Sequence, residues 1–123
     1  MTRRDDERLG DILLAIEAIK SHLQRGGLGD GLVYDGVRLR LIEIGEAVKG
    51  ISAGVLATEP DVPWADVAGM RDWLAHHYFD TTHALVQVTV ANDLPALEAA
   101  VRRLHGGQGN QGRSPAGGDA PGL

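Results

Sequence analysis

The stretch LVYDGVRLRLIEIGEAVKGISAGVLA, residues 32–57, decides the fold. Val37, Leu41, Ile44, Val48, Ile51 and Val55 step by four, three, four, three and four residues. That spacing lines one face of an α-helix. A strand would alternate every second residue and scatter this set over both of its faces. The stretch therefore predicts one long helix over 32–57. Gly36, Gly45, Gly50 and Gly54 lie inside it, and each costs about 1 kcal/mol of helix propensity against alanine. Packing has to offset that cost. Small residues let a neighbouring helix come close, so a tight helix contact is expected along this face.

Working outward, Leu9, Ile12, Leu13, Ile16, Ile19 and Leu23 repeat at three- and four-residue steps and predict a first helix over 5–25. Asp5, Asp6 and Glu7 open it and Arg25 closes it, as the helix dipole prefers. The glycine-rich residues 26–31 break the chain. Downstream, Glu59-Pro60-Asp61-Val62-Pro63 reads as a turn, and Pro63 suits the first position of a third helix over 63–78. Asp80-Thr81-Thr82 offers a break and a cap for a fourth helix. Residues 85–90 alternate like a strand, but a lone strand has no ladder partner, so they are read as helix. Asp93 is the expected cap and Pro95 the first turn of a last helix ending near Leu104. The fold class is therefore all-α, an antiparallel four- to five-helix bundle over residues 1–105. Residues 106–123 are polar and glycine-rich, with too little apolar surface to offset ordering, and are expected to be disordered.

Composition narrows the function. The 123 residues fit one domain, and the absence of cysteine excludes disulfides, thiol nucleophiles and thiolate metal sites. No apolar run reaches membrane-spanning length and none follows the N-terminus as a signal-peptide core, so a cytoplasmic protein is expected. With a formal net charge of −5 the chain is a poor non-specific binder of nucleic acid, and any RNA site must be locally basic.

Arg-Asp-Trp-Leu-Ala-His-His-Tyr, residues 71–78, concentrates Trp73, Tyr78 and two histidines in a chain with only 4% aromatic residues. On a continuous helix His76 lies about 140° around from Arg71, and Tyr78 returns to within about 20° of it. Asp72, Ala75 and Phe79 fill the sector between Arg71 and His76. Two copies facing across a twofold axis bring both pairs around one ligand. Histidine shuttles protons near neutral pH, and arginine clamps a phosphate gaining charge. Together they suit metal-free RNA cleavage with the 2′-hydroxyl as internal nucleophile. Other readings of the octet stand beside this one. Arg71 and His76 can be solvated surface, Trp73 and Leu74 core, and Tyr78 a half-buried aromatic. Asp72, His76 and Asp80 step by four residues, with His77 and His83 close by, and fit a metal site.

The chain resembles the HepT-like family of the HEPN superfamily, whose toxins carry Arg-x4-His-x-Tyr. Arg71, His76 and Tyr78 match that spacing, and Asp72 is an accepted polar residue after the arginine. Ile44-Gly45-Glu46-Ala47, Pro63-Trp64, Gly69-Met70-Arg71 and Asp93-Leu94-Pro95-Ala96-Leu97 follow the family pattern in order, so the resemblance covers residues 8–104. It implies a homodimeric, metal-independent ribonuclease toxin that needs no cofactor and has Arg71 and His76 as catalytic residues. It also implies a partner, a minimal nucleotidyltransferase antitoxin that transfers AMP to Tyr78 and silences the enzyme. Asp72, His77 and Glu46 are supporting candidates, with Glu46 placed to orient Arg71. Two departures stand out: the family's tryptophan in the fourth helix is replaced near Gln87, and His77 stands where an acidic residue is commoner. The alternative is a non-catalytic HEPN module that binds a nucleotidyltransferase or nucleotide.

Overall fold

The computed structural model describes residues 1–77 and 79–111. Among them all regular structure is helical: α1 Arg3–Arg25, α2 Gly31–Lys49, α3 Ala53–Leu56, α4 Trp64–His76, α5 Phe79–Val88 and α6 Leu94–Gln111. A π-helical turn, Thr89–Asp93, joins α5 to α6.

Contacts along the helices give their directions. Asp5 near the start of α1 meets Ser52 just past α2, while Gly36 near the start of α2 lies under His22 near the end of α1. Lys20 pairs with Glu98, and Asp6 with His105, so α6 also runs against α1. Arg38 reaches Leu74, and Gly45 packs on Val67 and Arg71, so α4 runs against α2. These antiparallel pairs enclose one core in which Leu9, Ile12, Ile16, Ile19, Leu41, Ile44, Leu74, Val86 and Val101 are fully buried.

The expected helix over 32–57 is broken in two. Its seam holds as far as Val48, but at Gly50 the backbone N–H groups turn back three residues, Gly50 to Ala47 and Ile51 to Val48. Two side chains fix the break. A Cβ on Gly50 would fall 2.3 Å from Arg8 Cζ, so the guanidinium lies directly against this glycine and would have to swing aside for a larger residue. The buried Asp5 carboxylate accepts the Ser52 N–H and hydroxyl, both at 2.8 Å. Asp5 also completes a capping box with Thr2, so one carboxylate caps α1 and ends α2.

Four further expectations are corrected. Thr82 does not cap the fourth helix but lies buried within α5, hydrogen-bonded to the Tyr34 hydroxyl. Its stripe of Thr82, Val86 and Thr89 is helical, which is why the strand-like alternation of 85–90 forms no strand. Asp93 does not cap a separate helix, because α5, the π turn and α6 are continuous. Pro95 lacks an N–H, and in an α-helix its ring would press on the carbonyl four residues back. The wide turn, with the Leu94 N–H on Thr89 O, precedes it and absorbs that misfit. Finally, α4 stops at His76, since His77 is extended at φ −115° and ψ 158°. Helix α6 runs to Gln111, where Leu104 was the expected end. Tyr78 and the part of the expected tail from 112 onward lie outside the described residues.

Candidate active site

Three successive carbonyls at the end of α4 receive side chains. His76 Nδ1 lies 2.8 Å from Asp72 O, His77 Nδ1 lies 2.7 Å from Trp73 O, and Arg38 Nη2 donates to Leu74 O at 2.8 Å. Helix ends leave carbonyls in want of donors, so imidazoles and a guanidinium collect here. A carbonyl oxygen only accepts. Each imidazole therefore carries its proton on Nδ1, and the neutral ring keeps Nε2 as its basic atom.

Arg71 precedes this turn. Its Nε pairs with Glu46 Oε1 at 3.1 Å and its Nη1 with Asp72 Oδ1 at 2.7 Å. Lys49, one turn after Glu46 on α2, holds the other Asp72 oxygen at 3.3 Å. The hydrogen bond to Asp72, then the negative charges of Glu46 and Asp72, raise the Arg71 guanidinium above its ordinary value. Hydrogen bonds from Arg71 and then Lys49 hold the Asp72 carboxyl below its own.

Gly45 makes this arrangement possible. A Cβ there would stand 2.9 Å from Val67 O and 3.1 Å from both Arg71 Cβ and Arg71 N. The backbones of α2 and α4 therefore meet at Arg71, and Glu46, the next residue, is carried to the guanidinium. This is the tight contact expected of the glycine-bearing helix.

The structure brings Arg71, Asp72 and Glu46 into side-chain contact, while His76 meets Asp72 through that residue's backbone carbonyl. Asp72 joins the two expected catalytic side chains, its carboxylate on Arg71 and its carbonyl on His76. His77 is beside them but stacks on Trp73, with centroids 4.1 Å apart and planes 13° apart. Leu74 is core, as one reading of the octet had it, whereas Trp73 is only partly buried. Tyr78, which helical counting puts close to Arg71, lies outside the described residues. The rival metal set does not assemble: among the described residues no three histidine or carboxylate side chains converge. Asp80 belongs to α5, and His83 stacks on Tyr34 with Nε2 3.0 Å from Leu28 O. Sequence reasoning passed over Lys49 and Arg38. Lys49 was within reach of it, since it sits three residues after Glu46 and so on the same face of α2.

The described residues define a helical bundle that carries Arg71 and His76 on the last turns of α4. The family model described as ribonuclease HepT-like matches residues 12–104. A protein of Thermococcus cleftensis named probable ribonuclease HepT is 32% identical over 108 residues, covering 85% of this chain and 98% of that protein. A protein of Caldanaerobacter subterraneus subsp. tengcongensis named for RNase activity is 38% identical over 61 residues, 50% of this chain. The alignment spans about half, 54%, of that relative's length. No solved structure matches the chain. The chain belongs to the ribonuclease HepT-like family. No helix among the described residues is long and apolar enough to cross a membrane.

Proposed function

We propose that this member of a ribonuclease family is a metal-independent endoribonuclease toxin of the cytoplasm. It acts as a homodimer in which two α4 ends share one cleft. The observation that carries this reading is the double role of Asp72, which ties Arg71 and His76 into one unit. His76 Nε2 takes the proton of a 2′-hydroxyl as that oxygen attacks the adjacent phosphorus. An imidazolium, supplied by the second protomer across the twofold axis, protonates the departing 5′-oxygen. The Arg71 guanidinium faces the phosphorane and offsets the added charge. Every proton and charge in this scheme is handled by side chains, so no metal or cofactor takes part.

The partner is a cognate minimal nucleotidyltransferase that silences the enzyme by placing AMP on Tyr78. A bulky anion next to Arg71 would occupy the phosphate site and repel RNA. The test is RNA cleavage in EDTA by protein produced without that partner. The parent cuts, while Arg71→Ala and His76→Ala, with unchanged helical circular dichroism, do not. Co-production with the transferase abolishes cleavage by the parent and spares Tyr78→Phe. A second reading, a non-catalytic module for a nucleotidyltransferase or nucleotide, draws on one observation: Arg71 already holds two carboxylates. It predicts complex formation with no RNA loss at any protein concentration.

A further inference from the structure

From the stacked pair at the end of α4 we infer that His77 and Trp73 form a platform for an unpaired RNA base flanking the cut phosphate. The inference rests on the ribonuclease reading and adds a base-binding element to it. Three features of the pair support it. Trp73 and His77 lie nearly parallel with centroids 4.1 Å apart. The His77 ring is also held by its Nδ1 contact with Trp73 O at 2.7 Å. Residue His77 is nevertheless exposed. With one ring face on the indole, the opposite face is the one a base would use. A flat surface fixed by a stack and a hydrogen bond suits a nucleobase, which offers a π-face whatever its identity.

Position adds to the case. His77 directly follows His76, whose Nδ1 is anchored on Asp72 in the same way. A base resting on His77 therefore lies next to the imidazole that handles the 2′-hydroxyl proton. Charge separates this role from phosphate binding. The cations that the described network gathers are Arg71 and Lys49, both on Asp72, while His77 meets only a backbone carbonyl and an indole in its described contacts. A base inside a duplex cannot present its face, so cleavage is confined to unpaired nucleotides.

The test uses full-length protein carrying Trp64→Phe, which leaves Trp73 as the only tryptophan, and His76→Ala to stop cleavage. Binding of a single-stranded RNA oligonucleotide is followed by Trp73 fluorescence. The expected result is a fluorescence change that saturates with RNA. Affinity is expected to fall roughly 5- to 100-fold in His77→Ala and to return in His77→Phe, with the salt dependence unchanged. In the cleaving parent the same His77→Ala raises KM and leaves kcat within about twofold. An oligonucleotide with its cut site in a duplex is spared. Equal affinity in His77→Ala, or rescue by His77→Lys but not by His77→Phe, overturns the platform and leaves the ribonuclease reading standing. Parent protein that binds RNA with this signature but never cuts it overturns the ribonuclease reading and retains the platform as a binding surface.

Discussion

Substituting Gly45 by alanine tests whether α2 and α4 meet as closely as the site requires. Gly45 is buried, and its added methyl would press against backbone, with Val67 O at 2.9 Å and Arg71 N at 3.1 Å. Neither atom can swing aside as a flexible side chain would. Overpacking of this kind costs about 1–3 kcal/mol. Alanine returns about 1 kcal/mol of helix propensity, so the net loss is about 1 kcal/mol. Gly69 in α4 is the control. It is exposed, and a Cβ there meets nothing within 4 Å. Gly69→Ala keeps the full propensity gain, about 1 kcal/mol. The two variants should differ by about 2 kcal/mol, or roughly 8 °C in Tm for a domain of this size. Thermal denaturation followed by circular dichroism measures the gap. Because the methyl displaces Arg71, Gly45→Ala should also lose RNA cleavage out of proportion to its stability, while Gly69→Ala stays active. If Gly45→Ala melts as high as Gly69→Ala and cleaves RNA as the parent does, the close approach at Arg71 is refuted.

Acid should loosen the junction at Ser52. Burial alone would raise the Asp5 carboxyl, but hydrogen bonds from Ser52 and Thr2 outweigh it and lower the group from 3.8 to about 2. A depressed carboxyl stabilises the fold above its ordinary value and loses that contribution as pH falls from about 4 towards 2, a change of about 2 kcal/mol. Urea denaturation across that window should show the drop in the parent and a shallower one in Asp5→Asn; parallel curves would reject the clamp. Glu46→Gln removes the charge on Arg71 Nε. Both side chains are largely exposed, so stability should move by less than about 0.5 kcal/mol. The cleavage rate should nevertheless fall about tenfold, an effect of about 1.4 kcal/mol on the barrier. An unchanged kcat would mean that Glu46 does not orient Arg71.

The helices were legible where one periodicity ran unopposed. The seam of α2 named its buried face correctly through Val48, and the apolar stripe of α1 is buried at Leu9, Ile12, Ile16 and Ile19. The errors arose where a distant residue decided. Nothing local in residues 48–55 shows that Asp5, some 47 positions away, takes the Ser52 N–H and ends the helix. Thr82 looked like a cap because threonine often caps, yet Tyr34 on α2 draws it into the core. Asp93 and Pro95 look like a helix start in any sequence, and only a continuous arm with a π turn makes them interior. At the site, motif spacing placed Arg71 and His76 on one helix, and the glycine before Glu46 hinted at a close contact. That Asp72 joins the pair through two different atoms was beyond spacing, because it depends on side-chain rotamers at the end of α4.

In the proposed mechanism Arg71 and His76 cleave RNA by engaging its own 2′-hydroxyl. Analysis of the product ends in EDTA, with an all-RNA oligonucleotide and its 2′-O-methyl counterpart, tests it most directly. The mechanism predicts fragments ending in a 2′,3′-cyclic phosphate opposite a free 5′-hydroxyl, and no cleavage of the methylated strand. Cleavage of both strands to 5′-phosphate and 3′-hydroxyl ends would mean that water is the nucleophile, and would contradict the claim.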